Sequence, residues 1–376
     1  MNIYFAPMEG ITGFIFRQVH HTCFPGIDKY YTPFVVATQT YSFKTREKKD
    51  VAPENNPGIN LVPQIMANKV PEFLWTARAI ADQGYEELNL NLGCPMQTVV
   101  SKKKGAGFLS VPDDLNRFLD GVYSGLDPDI KLSIKTRIGM HDPDEWGHLL
   151  EIYNQYPICE LTIHPRTRDE LYKGKPHVDM FKIAMETCRH PLCYNGNIYT
   201  AEDYKKLVAY LKKPCNRSGA DPDSCSSEDP VIHSGETPVI HPGEAPVIYP
   251  DENPVICHIE NLVNHPVELP LMIGRGLIAN PALARQLKGG PALNKKELKH
   301  YHDSMYAALQ EKLQAESAIH KMKEIWTYMQ TCFEEPEKPL KAIKKARKPE
   351  DFQAAVDNLF AVCDLKKPMK DGLYLN

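Results

Sequence analysis

The sequence lacks two features that would assign it to well-known classes, a long apolar run and a closely spaced cysteine pair. No apolar run reaches the roughly eighteen residues that a membrane span needs. The ten cysteines include no Cys-x-x-Cys, which argues against a zinc ribbon, an iron–sulfur site and a thioredoxin-type redox pair. Because no basic, apolar leader follows Met1, we expect reduced thiols in a cytoplasmic protein that has no membrane partner.

The net charge of −4 is unevenly distributed along the 376 residues. Between Lys213 and Leu269 there are ten acidic and two basic residues, so the remainder of the chain carries +4. A mildly basic body is compatible with an anionic partner. The length suits one barrel-sized domain together with a smaller one.

Short apolar runs alternate with amphipathic segments along the first part of the chain. Seven strand–helix units in succession predict a parallel sheet. The predicted strands cover residues 3–8, 30–36, 61–66, 88–92, 130–137, 159–164 and 191–196. The predicted helices cover residues 14–22, 71–82, 112–123, 145–156, 179–188 and 201–212, and the charged stretch 44–56 is a helix end or an exposed loop.

An eighth unit follows an interruption in this pattern. Residues 269–276 predict a strand and 281–287 a helix, which completes the count of a (β/α)₈ TIM barrel over 1–290. The interruption at 213–266 repeats Pro-Val-Ile every eight residues between acidic turns, which is typical of a solvated insert. Its histidines are separated by proline and acidic residues, so we expect no metal site and no catalytic residue there.

The alternation stops beyond the barrel, and every later segment has helical periodicity. Helices are predicted at 295–315, 318–333, 339–346 and 350–363, so residues 291–376 are expected to form an all-α helical bundle. This region contains a basic run, which is either a solvated helix face or a contact to a nucleic-acid backbone. The run comprises Lys338, Lys341, Lys344, Lys345, Arg347 and Lys348.

The fourth predicted strand delivers one cysteine to a loop. Residues 88–92 alternate apolar and polar side chains and lead into Gly93, Cys94 and Pro95. Glycine permits a sharp turn and proline cannot continue a strand ladder, so Cys94 lies where the strand ends. One thiol among ten is ordinarily a buried structural group, but the Asn-x-Gly-Cys-Pro setting and the basic turn at 102–104 favour a functional role.

Polar and cationic residues follow the other predicted strands. In a (β/α)₈ barrel the carboxyl ends of the strands meet at one mouth, where the chemistry takes place. Glycine turns at 195–197 and 274–276 end the seventh and eighth strands, where many barrels bind a phosphate through backbone N–H groups. Gln64 and Lys135 would then face a flat heteroaromatic ring.

These residues resemble the tRNA-dihydrouridine synthases, flavin enzymes that reduce a uracil base in transfer RNA. The resemblance covers nearly the whole chain outside the repeat, and its six motifs occur in the family's order. The motifs are residues 6–10, 91–95, 135–139, 163–167, 195–198 and 272–276.

The resemblance implies reduction of a specific tRNA uridine to 5,6-dihydrouridine by a monomeric enzyme. Hydride would pass from reduced FMN to C6 of the uracil, Cys94 would protonate C5, and NADPH would reduce the flavin. Asn91 and Arg137 would contact the uridine, and the helical region would hold the tRNA. The residues that would hold FMN are Pro7, Met8, Glu9, Gln64, Lys135, His164, Asn195, Gly196, Asn197, Gly274 and Arg275.

Two positions depart from the family pattern, and two alternative functions stay open. Pro165 replaces a usual glycine, and Asn197 replaces a usual acidic residue. One alternative is an FMN barrel that acts on a free pyrimidine, like a dihydroorotate dehydrogenase, although a small substrate needs no helical domain. The other is a non-catalytic tRNA-binding protein, in which Cys94 would be idle.

Overall fold

A computed structural model describes residues 1–213 and 269–366 of the chain. Ten parallel strands form one sheet in the order β3-β5-β6-β7-β8-β9-β10-β1-β2-β4. The strands are β1 (Ile3–Phe5), β2 (Lys29–Tyr31), β3 (Val35–Val36), β4 (Leu61–Val62), β5 (Gln64–Met66), β6 (Glu87–Leu92), β7 (Lys131–Gly139), β8 (Leu161–Thr167), β9 (Leu192–Tyr194) and β10 (Leu271–Ile273).

The ten short strands make up an eight-stranded closed barrel, because two of the barrel strands are each divided in two by a proline. Pro63 separates β4 from β5, and Pro33 lies between β2 and β3, since proline lacks the N–H that a ladder needs. Each half pairs with the matching half, β2 with β4 and β3 with β5. The pairing of β1 with β10, with Tyr4 opposite Met272, completes the circle. The predicted TIM-barrel fold is therefore confirmed.

Helices cover the outside of the barrel, and several begin with recognisable signals. Pro112 at the first position of its helix and Thr200 as an N-cap, bonded to the backbone N–H of Asp203 at 3.1 Å, are two of them. The helices are α1 (Phe14–Cys23), α2 (Thr45–Val51), α3 (Val70–Ala81), α4 (Gln97–Val100), α5 (Pro112–Gly125), α6 (Trp146–Tyr153), α7 (Val178–Thr187), α8 (Ala201–Leu211), α9 (Arg275–Ala279) and α10 (Leu283–Leu287).

The structure differs locally from the prediction at three places. The stretch 44–56 contains a complete helix, α2, whose Glu47 is buried and accepts the backbone N–H of Val36 at 3.2 Å. The glycine turn at 274–276 leads directly into α9, because only Gly274 keeps a non-helical backbone. In the basic turn, Lys104 is engaged structurally: its Nζ donates to Ala37 O at 2.9 Å and lies 3.7 Å from Glu72.

Four helices follow the barrel in the described residues. They are α11 (Lys295–Lys312), α12 (Ala315–Met329), α13 (Glu337–Lys345) and α14 (Pro349–Val362). Their apolar faces continue the barrel's core, and the ring of Tyr301 on α11 packs edge-on against Phe24 at 5.5 Å between centroids. All six cations of the basic run are exposed. The Pro-Val-Ile repeat lies outside the described residues.

None of the helices in residues 1–213 and 269–366 combines the length and apolar character that crossing a bilayer requires.

Candidate active site

All fourteen residues that the sequence analysis assigned to the site line one cavity of about 440 Å³ at the carboxyl ends of the strands. They come from the ends of seven of the eight barrel strands, because parallel strands bring distant sequence segments to the same rim. The fourteen are Pro7, Met8, Glu9, Gln64, Asn91, Cys94, Lys135, Arg137, His164, Asn195, Gly196, Asn197, Gly274 and Arg275.

The Cys94 loop is held by backbone-directed hydrogen bonds. Asn91 Oδ1 accepts the N–H of Gly93 at 3.1 Å and that of Cys94 at 2.9 Å. The carbonyl of Cys94 accepts the N–H of Ala106 at 3.0 Å. Gly105 has a positive φ of 55°, and a Cβ there would come within 2.9 Å of Cys94 O, so only glycine allows this close approach. The thiol is therefore presented by a constrained loop.

The Cys94 thiol is protonated at neutral pH. Burial raises its pKa and Glu9 adds to that rise, while the backbone near Met96 and the positive charges of Arg137 and Lys135 act in the opposite direction. A thiol in this state is suited to donate a proton rather than to act as a nucleophile.

Arg168 connects the loop after β8 to the Cys94 loop. Its Nε donates to Pro95 O at 3.2 Å, and its Nη2 donates to the side chain of Gln97. Asp169 Oδ1 accepts Arg168 Nη1 at 2.8 Å, and the other carboxylate oxygen lies 2.6 Å from His141 Nδ1. Nothing in the sequence singles out Arg168, because an arginine beside an aspartate carries no distinguishing pattern.

A chain of amides crosses the floor of the cavity. Asn91 Nδ2 donates to Gln64 Oε1 at 2.7 Å, and Gln64 Nε2 donates to Asn89 Oδ1 at 2.8 Å. Asn89 Nδ2 in turn donates to Ser133 Oγ at 3.0 Å. Each amide fixes the orientation of the next, so Gln64 and Asn91 present defined polar edges to whatever occupies the cavity.

Two cations lie beside each other on β7. Confinement inside the barrel, together with the positive charge of Arg137, lowers the pKa of Lys135 to about 7. Arg137 is anchored by backbone oxygens: its Nε donates to Gly93 O at 3.0 Å and its Nη1 to Thr167 O at 2.7 Å. A negative group next to Lys135 would restore its charged form.

A second cationic corner lies beyond β8 and β10. Arg275 Nη2 and Arg166 Nη1 both donate to Asn197 Oδ1, at 3.0 and 3.3 Å. Neither guanidinium forms an ion pair with a carboxylate in the described residues, and burial, with the positive charge of Arg275 adding to its effect, lowers the pKa of Arg166. His164 lies at 3.2 Å from Arg166 Nη1, and burial among these cations keeps it neutral by lowering its pKa well below the usual value. Arg275 lines the cavity, whereas Arg166 is buried behind it and its Nε and Nη2 donate to Lys173 O and Gly174 O at 3.0 and 2.7 Å. Arg275 is therefore the cation of this corner that an anion in the cavity can contact.

Glycines allow close packing beside this corner. Asn195 Nδ2 donates to Met272 O at 2.7 Å and ties β9 to β10. A Cβ on Gly276 would lie 2.1 Å from Ile198 O, and one on Gly274 would lie 3.2 Å from Met8 Sδ. Gly276 therefore packs against backbone and Gly274 against the side chains of Met8 and Ala6, so a side chain at either position would crowd its neighbours.

Tyr172 contacts three of the expected site residues, although the sequence analysis did not single it out. Its ring lies 4.8 Å from the guanidinium carbon of Arg275 and 5.4 Å from that of Arg137, and it stacks on His164 at 6.0 Å. It is 48% exposed and follows Leu171, which has a positive φ of 54°. A tyrosine in a polar loop gave no signal, because only the fold places that loop across the cavity mouth.

Both departures from the family pattern have a structural account. Pro165 lies where the register between β7 and β8 shifts, since Arg137 pairs with His164 and Gly139 with Thr167. Such an irregularity tolerates a residue without an N–H. Asn197 Oδ1 still accepts from both arginines, but as a neutral acceptor it does not offset the charge of either.

Comparison with known proteins assigns most of the barrel to one family. Residues 4–212 match the family model described as dihydrouridine synthase (Dus). A probable tRNA-dihydrouridine synthase of Staphylococcus epidermidis is 30% identical over 196 residues, which cover 50% of this chain and 57% of that protein. The tRNA-dihydrouridine synthase B of Pasteurella multocida is 29% identical over 212 residues, covering 55% of this chain and 61% of that one.

The chain thus spans little more than half the length of these curated relatives. Among solved structures, a variant of NCR from Zymomonas mobilis aligns over 78% of this chain and 88% of its own, with 10% identity and a TM-score of 0.42. The family model covers more than half of the present sequence and includes the Cys94 loop, the β7 cations and the Asn195–Asn197 turn. This chain belongs to the dihydrouridine synthase family.

Proposed function

We propose that this protein is a flavin-dependent tRNA-dihydrouridine synthase, which reduces a specific uridine of tRNA to 5,6-dihydrouridine. The observation that carries the proposal is the convergence of a protonated thiol, a polar amide floor and two cationic groups on one cavity. The family assignment supports the same reaction class.

The donor set of the cavity fits FMN. Arg275 lines the cavity and is suited to contact the phosphate, and the buried Arg166 behind it adds positive charge to this cationic corner. Gln64 offers a fixed amide edge, and Lys135 has a pKa poised to respond to negative charge on a heteroaromatic ring. The remaining residues proposed to hold FMN are Pro7, Met8, Glu9, His164, Asn195, Gly196, Asn197 and Gly274.

The chain's own residues would complete the reduction. The chemistry that a reduced flavin would supply, if held by these residues, is a hydride for C6 of the uracil. Cys94 then donates its proton to C5, a role for which its raised pKa keeps it protonated. Arg137 and Asn91 would contact the uracil, and the Coulomb field of Arg137 and Lys135 would stabilise the negative charge that develops at C5 and O4.

The substrate proposal rests on charge and size. The target base must leave the tRNA stack to enter the cavity, and the body of the RNA must be held while it does so. The exposed cations of α13 and the residues after it are proposed to contact tRNA phosphates, and residues 291–376 are proposed as the tRNA-binding domain after a catalytic barrel at 1–290.

Three further parts of the proposal concern the reductant, the assembly and the compartment. NADPH is proposed as the source of electrons for the flavin, and the monomer as the active form. The cytoplasm is the proposed location, because thiols such as Cys94 and Cys193 are free in the structure and reducing compartments keep them so.

The test begins with the purified full chain. We expect a flavin absorbance band at about 450 nm. We also expect NADPH-dependent formation of dihydrouridine in bulk tRNA, measured by mass spectrometry of the tRNA nucleosides. Free uracil and orotate should be poor substrates. Equal turnover of a free pyrimidine would favour the dihydroorotate dehydrogenase-like alternative, and tRNA binding without flavin would favour a non-catalytic RNA-binding protein.

A further inference from the structure

A second cavity, here called the side cleft, lies next to the candidate active site. It has a volume of about 600 Å³ and is bounded by the loop between β1 and α1 on one side and by α11 and α12 on the other. Glu9 lines the active-site cavity and Gly10 the side cleft, while Pro33 lines both. Lys321 Nζ donates to Gly10 O at 2.9 Å, which fixes this loop to α12. The two cavities are therefore neighbours separated by one loop.

The walls of the side cleft are apolar. Ile11, Phe14 and Ile15 contribute to the barrel side, and Leu309, Leu313 and Ile325 face them from α11 and α12. Leu313 is 36% exposed and lies at the end of α11, where an ordinary surface helix would carry a polar residue. An open apolar slot of this kind suits a flat, weakly polar group.

The rim of the side cleft is cationic. Arg46 and Lys321 pair with Glu9 and Glu324 at 2.5 and 2.9 Å, so their charges are partly offset. Lys49 and Lys312 are exposed and form no ion pair with a residue of the described chain. The one acidic residue among the described residues lining the cleft is Asp50, which is buried and lies 3.8 Å from Arg17. The side cleft therefore combines apolar walls with unpaired positive charge at its rim, which is complementary to an aromatic ring attached to an anionic group.

We propose that the side cleft is a nucleotide subsite, which takes a nucleotide next to the reacting uridine with its base between the apolar walls and its phosphate on Lys49 and Lys312. This proposal rests on the proposed function. A base that leaves the RNA stack frees its neighbours from stacking as well, and such bases bind apolar and aromatic side chains while cations track the backbone. The two cavities share Pro33 and adjoining residues of one loop, so the occupant proposed for the side cleft is the nucleotide joined to the uridine.

The first test separates binding from chemistry. We expect the double variant Lys49→Ala/Lys312→Ala to raise KM for tRNA about tenfold with kcat and flavin content unchanged, because it removes phosphate contacts only. The slope of log Kd against log salt should fall by roughly 1.4, since each single-strand contact contributes about 0.7. The matched control is Lys131→Ala/Lys212→Ala, which removes two exposed lysines at the opposite face of the barrel.

The second test locates the base. 4-Thiouridine placed beside the target uridine should cross-link to peptides that contain Phe14 or Leu313, and Leu313→Glu should lower the yield. A KM for the Lys49/Lys312 variant equal to that of the control, in an enzyme that makes dihydrouridine, would overturn the proposal, as would cross-links confined to other surfaces. A change of oligomeric state on Leu313→Glu would show that a second copy covers the cleft, and would also overturn it. If the wild-type protein makes no dihydrouridine, the tRNA Kd and the cross-links still report on the cleft, so failure of the proposed function is distinguishable.

Discussion

The side-chain oxygen of Asn91 accepts the backbone N–H of Cys94 at 2.9 Å, while its amide nitrogen donates to Gln64 at 2.7 Å. One side chain thus connects the loop that carries the thiol to the polar floor of the cavity. The position of the thiol relative to this floor is therefore set by the end of β6 and not by a free loop.

The pH dependence of reduction should report the Cys94 thiol. The proton donor must be protonated, and the pKa of Cys94 is raised. The single-turnover rate with pre-reduced enzyme should therefore be constant through neutral pH and fall only above the pKa of an ordinary thiol. Cys94→Ala should keep flavin and tRNA binding and lose about 10²- to 10⁴-fold in that rate. Normal turnover by the alanine variant would exclude the proton-donor role.

Arg168 is expected to be a positioning residue for the Cys94 loop. Arg168→Met removes the donors to Pro95 O and Gln97, and misplacement of a reacting group by about 1 Å can cost about 100-fold in rate. We expect kcat to fall while KM and flavin content persist, and the alkylation of Cys94 by iodoacetamide to become faster in the absence of substrate. Arg117→Met, which breaks an exposed pair with Asp114, is the control and should change neither quantity.

Lys135 should make the stability of the flavin-free protein depend on pH. Its pKa is about 7 when folded and near 10.5 in its ordinary state. Below pH 7 the folded protein therefore buries a charged lysine, which lowers its free energy of unfolding. This destabilisation disappears as the pH rises from about 7 toward about 10.5, because the folded protein then holds the lysine neutral. Lys135→Met should raise Tm by several degrees at pH 6, with the difference shrinking toward pH 9, as measured by thermal unfolding. A Tm difference that does not change with pH would contradict the lowered pKa.

Arg275 should control the affinity for FMN. Arg275→Gln removes the cation of the cationic corner that lines the cavity, and loss of a charge-assisted hydrogen bond of about 1.5–3 kcal/mol corresponds to roughly 10- to 100-fold weaker binding. Titration of the flavin-free protein with FMN, followed by flavin fluorescence, measures this loss. Arg189→Gln at the opposite face of the barrel is the control, and equal affinities for the two variants would remove Arg275 from the cofactor site.

Deletion of residues 216–263 should leave flavin content and turnover unchanged. The deleted segment lies outside the described residues, but its attachment points do not. Lys213 follows α8 and Leu269 precedes β10, so both lie at the barrel face where strands begin, opposite the mouth that holds the candidate site. Loss of folding or of flavin in the deleted protein, measured by circular dichroism and absorbance, would show that the segment has a structural role.

Residues at strand ends could be predicted from the sequence because chain order and strand period determine where they lie. Once eight strand–helix units are counted, Gln64, Lys135 and His164 must approach one rim. Family resemblance added the separate expectation that this rim holds FMN and a uracil. The breaks at Pro33 and Pro63 were not predicted, since an apolar run does not show which ladder bonds a proline removes.

Loop residues were the part that sequence reasoning could not predict. Tyr172 and Arg168 act through neighbours that are distant in the chain, Arg275 and Pro95, and neither has a periodic pattern. The sequence does not decide between a helix end and a loop at α2, because Glu47 has the appearance of an exposed residue. In the structure Glu47 is buried and accepts the backbone N–H groups of Val36 on β3 and of Lys44 at the start of α2. Tertiary contacts decided these cases.

The pairing of β1 with β10 has a consequence for how the protein acquires its structure. Tyr4 and Met272 are neighbours in the ladder, so the cylinder cannot be completed until nearly the whole barrel sequence has been synthesised. Contacts between such distant residues slow folding. Closing a loop becomes more costly only with the logarithm of its length, so the stretch between Lys213 and Leu269 adds about 0.2 kcal/mol to this step. A late segment of such length can therefore be gained or lost during evolution with little effect on assembly of the barrel.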